Sequence, residues 1–187
     1  MLAEPPEPNP TLHAHRPATM KAQQLLQAIN PELRQQIIAY VQTDERPAYR
    51  ALIQNLAQQR RLRPQFVLEK SRPKQAEWLL AQLYLKTNDP VAEQLLQIWL
   101  LKARRPMLVT FLDAVGITHD DKGQVEDLPD EIPEDNAAAG IQALLAAHPA
   151  AEAALYLHMF QLQRPGGWDG LAKALAACTE VQLPSAP

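Results

Sequence analysis

The chain has 187 residues, of which 47% are hydrophobic and 21% charged, and its formal net charge is −3 at pH 7. These values are typical of a soluble globular domain and argue against a surface built throughout for nucleic acid. The one cysteine cannot form an internal disulfide, and no stretch comes near the roughly 18 apolar residues of a membrane span. We therefore expect a soluble, cytoplasmic protein with no membrane contact, no cofactor and no metal.

The two ends of the chain differ in composition from its body. Residues 1–17 contain five prolines and almost no apolar side chain that could be buried, which predicts a disordered, proline-rich arm. Residues 18–178 are rich in alanine, leucine and glutamine and poor in β-branched runs, which favours a single all-α domain. Residues 179–187 lack a helical pattern and are predicted to fray.

Prolines divide residues 18–115 into short helices. Apolar side chains recur there with the 3.6-residue helical period, and glycine is absent from the whole segment. Five of the prolines are expected to open a helix, with Asn30 and Asp89 as N-caps, because proline at the first helical position loses no hydrogen bond. The prolines of this segment are at positions 31, 47, 64, 73, 90 and 106.

The spacing of these prolines raises the question of a helical repeat. Steps of 16 and 17 residues separate prolines 31, 47 and 64, which would give a period of about 33 residues, close to that of tetratricopeptide arrays. Gln82 and Gln94, however, occupy positions where that pattern requires small residues. We therefore predict an irregular all-α array of about eight to ten helices, packed as helical hairpins rather than as a true repeat.

An acidic connector over residues 116–136 follows this array. It contains eight carboxylates and one lysine, and its turn and helix-cap residues favour a solvated connector. Two other interpretations stay open: Asp120, Asp121 and Asp127 could bind a partner, or His119 and the neighbouring aspartates could bind a metal. The spacing of the acids does not fit a calcium loop.

Within the connector, Lys122-Gly123 predicts a tight turn, since glycine readily adopts a positive φ. Ile117 and Val125, on either side of this turn, could pair as a short β-hairpin. We also expect the connector either to pack against the basic segment at 60–74 or to stay mobile, because the two segments have opposite charges.

Basic residues are concentrated in residues 58–74, which contain a single acid, Glu69. Residues 1–115 have a net charge of +5, and residues 116–187 have a net charge of −8. Such a segment can contact phosphates, but Phe66 is its only aromatic residue, so a platform for stacking bases is poorly supported. The candidate partner-binding residues here are Arg60, Arg61, Arg63, Lys70, Arg72 and Lys74.

The C-terminal block at 137–178 is predicted to form a tight, alanine-rich helical hairpin followed by a short last helix. The sequence RPGGWDG at 164–170 interrupts this block. Its Trp168 either fixes the entry of the last helix as a hydrophobic staple or stands exposed as an anchor for a partner. Cys178 is expected to be a buried, inert thiol rather than a nucleophile, and His158 a partly buried, hydrogen-bonded side chain rather than a base.

Catalytic motifs are missing from the sequence, which has no HExxH, no G-x-S-x-G, no Walker A loop and no G-x-G-x-x-G. We therefore predict a non-catalytic protein-interaction or scaffold module with an unidentified protein partner. The alternative is a nucleic-acid-associated regulatory protein that uses residues 60–74. The second alternative is an enzyme or small-molecule binder whose site is not visible in the sequence.

Overall fold

The computed structural model of the protein describes residues 20–163 and 167–184 and confirms the predicted all-α fold. Those residues form ten α-helices and two short 3-10 helices, at Lys86–Asn88 and Thr179–Val181, with no β-strand. The arm predicted at residues 1–17 lies outside the described residues. The α-helices are α1 (Ala22–Ala28), α2 (Pro31–Thr43), α3 (Arg46–Gln59), α4 (Pro64–Leu68), α5 (Arg72–Leu83), α6 (Asp89–Ala103), α7 (Arg105–Val115), α8 (Glu134–Ala147), α9 (Ala150–Gln163) and α10 (Asp169–Ala177).

Proline lies in the first turn of six consecutive helices, α2 to α7, one more than the sequence predicted. At α2 the predicted N-cap is present, because the Asn30 side-chain oxygen accepts a hydrogen bond from the Leu33 backbone N–H at 2.7 Å. Asp89 caps a different helix from the one predicted. Its carboxylate accepts from the Gln23 backbone N–H of α1 at 2.9 Å, so α6 supplies the cap of α1.

Helix α6 is the centre of the N-terminal array. It contacts α1, α2, α5 and α7, and its sequence DPVAEQLLQIWLLKA carries apolar residues on more than one face. A helix that is apolar on several faces needs neighbours on several sides. Its buried residues are Val91, Ala92, Leu95, Leu96, Trp99 and Leu100.

Helices α8 to α10 form the C-terminal block, in which α8 packs against α10 and also against α7 of the N-terminal array, and α9 contacts α1. The Arg104 guanidinium, at the junction of α6 and α7, pairs with both oxygens of the Glu152 carboxylate in α9, at 2.6 and 2.9 Å. The same guanidinium lies over the Trp99 ring. A bidentate pair has a narrow geometry, so it fixes α9 against the end of α6.

The β-hairpin predicted around Lys122-Gly123 does not form in the part of the chain that the structure describes, although the tight turn does. Gly123 has a φ of 76°, and its N–H donates to the Asp120 carbonyl at 2.9 Å. The Asp120 carboxylate accepts from the backbone N–H groups of Lys122 and Gln124, so the loop closes on itself instead of forming a strand ladder. Ile117 is buried in the core instead of pairing across the turn.

Most of the tail that was predicted to fray is ordered. Residues 179–181 form a 3-10 helix, and the Val181 side chain is fully buried in the core. The Val181 carbonyl oxygen also lies 3.2 Å from Nε2 of His158 in α9. A single valine gives no periodic signal, so the sequence pattern missed this contact. Residues 185–187 lie outside the described residues.

Gly140 lies where α8 packs on α7, and a Cβ atom added there would come within 2.7 Å of Phe111 Cε2. Gly140→Ala should therefore lower the free energy of unfolding by about 1–3 kcal/mol through overpacking, although alanine is the better helix former. Urea denaturation measures this change. The exposed Ala139→Gly variant of the same helix isolates the propensity effect, which should cost about 1 kcal/mol. A Gly140→Ala protein as stable as wild type would contradict the tight α7–α8 contact.

Candidate functional site

The end of α3 has an arginine where many helices have glycine. The Leu62 backbone N–H donates to the Ala57 carbonyl at 2.8 Å, and the Arg61 N–H donates to the Gln58 carbonyl at 2.9 Å. These are the two hydrogen bonds of a Schellman motif, whose C′ position favours glycine. Arg61 has a φ of 56° and is the only non-glycine residue with a positive φ in the described part of the chain. This conformation costs an L-residue about 1–2 kcal/mol, so Arg61 is held under local strain.

The short helix α4 follows this turn and leaves two large apolar side chains exposed. Val67 is buried in the core, whereas Leu62 is 38% exposed and Phe66 is 57% exposed. One face of the Phe66 ring is covered by the Lys70 ammonium group, whose nitrogen lies 4.4 Å from the ring centroid. The segment therefore presents apolar surface and positive charge together.

Six basic side chains accompany these two apolar ones. The Nε of Arg60 donates to the side-chain oxygen of Gln82 at 2.8 Å, and Arg72 and Lys74 lie in the first turn of α5. Within residues 20–163 and 167–184, none of the six forms an ion pair with a carboxylate. We call the following set the basic surface: Arg60, Arg61, Leu62, Arg63, Phe66, Lys70, Arg72 and Lys74.

Arg72 also lines a cavity of about 360 Å³ to which α2, α3, α4 and α5 all contribute. Sequence reasoning missed this cavity. The feature of the sequence that could have indicated it is the i, i+4 spacing of Arg46 and Arg50, which places both side chains on one face of α3. We call it the arginine cavity, and its lining residues are Gln42, Arg46, Tyr49, Arg50, Leu68, Arg72 and Gln75.

The candidate acidic residues lie on the exposed surface of the connector. Asp120, Asp121 and Asp127 are all exposed, and Asp120 and Asp127 line one cavity of about 650 Å³. The backbone N–H groups of Gln124 and Lys122 donate to the Asp120 carboxylate, which holds the pKa of that carboxyl below its usual value. Asp120 thus stabilises its own turn, while Asp121 and Asp127 present their carboxylates to solvent.

His119, the possible metal ligand, has both ring nitrogens beside oxygen acceptors. Nδ1 lies 2.7 Å from the Asp120 carbonyl oxygen, and Nε2 lies 3.0 Å from Oδ1 of Asp113. The Asp120 carbonyl makes the largest contribution to raising the pKa of His119, and Asp113 adds to it. Both acceptors favour the protonated ring, because only that form can donate from both nitrogens. In the described parts of the chain, no three His, Cys, Asp or Glu side chains are grouped as metal ligands would be.

The connector packs against the C-terminal block, whereas the sequence predicted that it would either pack against the basic segment or stay mobile. Ile132 is buried in the core. The Glu131 carboxylate accepts hydrogen bonds from the backbone N–H groups of Asp169 and Gly170 at 2.8 and 3.1 Å, at the start of α10. Glu131 thus supplies a cap that Trp168, at the N-cap position, cannot supply. Apolar burial and helix capping outweigh the attraction between two exposed charged segments.

Trp168 is not an exposed anchor, which corrects its assignment as a candidate partner-binding residue. Its side chain is 1% exposed, and its ring centroid lies 5.0 Å from that of Phe160 in α9. Its indole N–H donates to the Pro129 carbonyl at 3.1 Å. Buried aromatic groups with a satisfied N–H are structural anchors, so this residue ties the connector to α9.

His158 and Cys178 have different surroundings. Nε2 of His158 contacts the Val181 carbonyl, and burial lowers the pKa of the ring. Cys178 is the C-cap residue of α10 and is only partly buried, less than the sequence predicted.

No helix among the described residues is long and apolar enough to span a bilayer.

No protein family, no curated protein and no solved structure matches this chain. The geometry of its own residues is therefore the basis for a functional proposal.

Arg61→Gly should raise the free energy of unfolding by about 1 kcal/mol, because glycine adopts the required positive φ without a Cβ clash. Urea denaturation at neutral pH measures the change. Arg63→Gly is the matched control, since it removes the same charge at a residue whose φ of −72° suits any side chain. Equal effects of the two substitutions would contradict the strain at Arg61.

The stability that depends on His158 should fall in mild acid. Burial lowers the folded-state pKa of His158 below the ordinary value of 6.5, so the unfolded chain takes up a proton first as the pH falls. The wild type should therefore lose stability relative to His158→Gln between about pH 7.5 and pH 5.5. Urea titrations of both proteins across this range measure the difference, and a constant difference would contradict the proposed titration.

Proposed function

We propose that this protein is a non-catalytic interaction module of the cytoplasm that binds an acidic, partly apolar segment of a partner protein through the basic surface. One observation carries the proposal. Six basic side chains without carboxylate partners among the described residues share one segment with the exposed side chains of Leu62 and Phe66. Charge and exposed apolar area together are typical of an interface.

The charges give the surface its preference for an acidic partner. Residues 58–74 carry six basic side chains against one acid, and like charges in one region repel each other. An acidic segment would relieve that repulsion and would be steered towards the surface at low ionic strength. Arginine, which supplies four of the six charges, pairs with carboxylates through two parallel hydrogen bonds.

The apolar side chains supply the part of the affinity that resists salt. Phe66 can lose most of its exposed area on binding, and aromatic residues and arginines are enriched among residues that dominate binding energy. Lys70 already lies over one face of the ring, so the ring is held in place before a partner arrives. Less side-chain entropy is then lost on association.

Strain at Arg61 also supports a binding role. Strained backbone often marks a position where a side chain is needed for function. Arg61 is exposed and has no ion-pair partner in the described part of the chain. Its guanidinium therefore makes no ion pair that would compensate for the backbone strain. A side chain directed to a partner would account for it.

Nucleic acid is the competing partner, and the aromatic content of the segment weighs against it. Phe66 is the only aromatic residue of the segment, and the Lys70 ammonium occupies one face of its ring, whereas single-strand binding uses open aromatic platforms.

The test compares a fluorescent 12-residue peptide, EDFEDLEDFEDL, with a labelled 20-base-pair DNA duplex by anisotropy at about 50 mM salt. Peptide affinity should fall by about tenfold in Phe66→Ser and in the double variant Arg61→Gln/Arg63→Gln. Two matched controls should bind as wild type does. Leu101→Ser removes an apolar side chain that is 51% exposed elsewhere, and Lys86→Gln/Lys102→Gln removes two exposed charges elsewhere.

Three outcomes would overturn the proposal. The first is the absence of peptide binding. The second is an equal loss in the control variants, which would indicate attraction to charge in general. The third is tighter binding of the duplex than of the peptide, which would favour the nucleic-acid-associated alternative.

A further inference from the structure

The arginine cavity, adjoining the basic surface, has a polar floor. Tyr49 and Gln75 are 4% and 9% exposed. The Tyr49 hydroxyl donates to Oε1 of Gln75 at 3.3 Å and accepts from Nε2 of Gln42 at 3.2 Å. Nε2 of Gln75 donates to the backbone carbonyls of Leu68 and Lys70. This network connects α2, α3 and the α4–α5 turn, so the floor is fixed before any ligand enters.

The polar wall of the cavity includes three arginines. Arg46, Arg50 and Arg72 are exposed at its rim, and no carboxylate is among its lining residues. Nε of Arg46 donates to the Thr43 carbonyl at 3.2 Å, which leaves its two terminal nitrogens available. Three positive charges around one small cavity repel each other. An anion bound between them would be attracted to all three and would offset that repulsion.

The charge and shape of the wall favour a phosphoryl group over a carboxylate. A guanidinium donates two parallel hydrogen bonds to oxygen pairs of either anion. A carboxylate, however, carries one charge, whereas a phosphorylated side chain carries about −1.5 to −2 near neutral pH and has three strong acceptor oxygens. Three arginines therefore attract the phosphoryl group more strongly, because it has more negative charge and more acceptor oxygens than a carboxylate.

A phosphorylated side chain fits the cavity better than a nucleotide does. The one aromatic lining residue, Tyr49, is buried in the floor, so a base would find no exposed ring on which to stack. Arg72 belongs to both the cavity and the basic surface. A polypeptide lying on the basic surface would therefore reach the cavity directly.

We infer that the arginine cavity binds the phosphoryl group of a phosphorylated serine or threonine in the acidic partner segment. This inference rests on the proposed function, because the partner segment is the one that binds the basic surface. Phosphorylation of the partner would then strengthen binding through Arg46, Arg50 and Arg72 without a new contact at Phe66.

The test uses the peptide EDFEDLSEDFEDL in three forms, with serine, glutamate or phosphoserine at its central position. Wild-type protein should bind the phosphoserine form about tenfold more tightly than the serine form, since charge-assisted hydrogen bonds to arginine are strong. The double variant Arg46→Gln/Arg50→Gln should lose this preference and keep its affinity for the serine form. Lys86→Gln/Lys102→Gln is the matched control and should keep the preference, and thermal melting checks that each variant is folded.

A second measurement tests phosphate binding at the cavity independently of peptide binding. In proton–nitrogen spectra, inorganic phosphate should shift the Nε–H resonances of Arg46, Arg50 and Arg72, whereas chloride at equal ionic strength should not. Equal affinity for the three peptides, together with no phosphate shift, would overturn the inference and leave the proposed function intact. Loss of all peptide binding with the phosphate shift retained would overturn the proposed function and the phosphopeptide assignment together. Tighter binding to duplex DNA or to phosphoinositide vesicles than to the phosphopeptide would also overturn the inference.

Discussion

Burial of α6 on several sides is the constraint on which the rest of the structure depends. A helix with apolar residues on more than one face is stable only when neighbours cover those faces, and α1, α2, α5 and α7 do so. At its end, Arg104 is held by Glu152, which fixes the C-terminal block on the same helix. α3 and α4 contact their sequence neighbours α2 and α5 at the outside of this array. The basic surface lies on the turn after α3, on α4 and on the first turn of α5.

Local chemistry explains which parts of the fold the sequence could predict. Proline and the Asn30 cap act within one helical turn, so the helix starts and the all-α class follow from the sequence. The contacts it missed join distant residues: Asp89 caps α1, Val181 enters the core beside α9, and Trp168 bonds to Pro129. Such pairings depend on how helices pack and leave no periodic pattern in the sequence. They hold residues 179–184 and the connector in ordered conformations.

The candidate site divides in the same way. Arg60 to Lys74 are close in sequence, so their clustering was visible without a structure, whereas the exposure of Phe66 and the positive φ of Arg61 required coordinates. The arginine cavity could not be predicted because Arg50 in α3 and Arg72 in α5 are brought together by α4 and the turns on either side of it. For the acidic connector, the sequence suggested a contact that does not form. Its charge suggested packing against the basic segment, but Ile132 is buried in the core and Glu131 bonds to the start of α10.

The cap that Asp89 provides for α1 has a consequence for the order of folding during synthesis. Helix α1 has seven residues, too few to be stable alone in water, and its cap lies 66 residues further along the chain. It leaves the ribosome before α6 but can be completed only after α6 has emerged. At typical elongation rates of about 5–20 residues per second, its apolar face stays uncovered for several seconds. Helix α1 is therefore made well before it can fold stably.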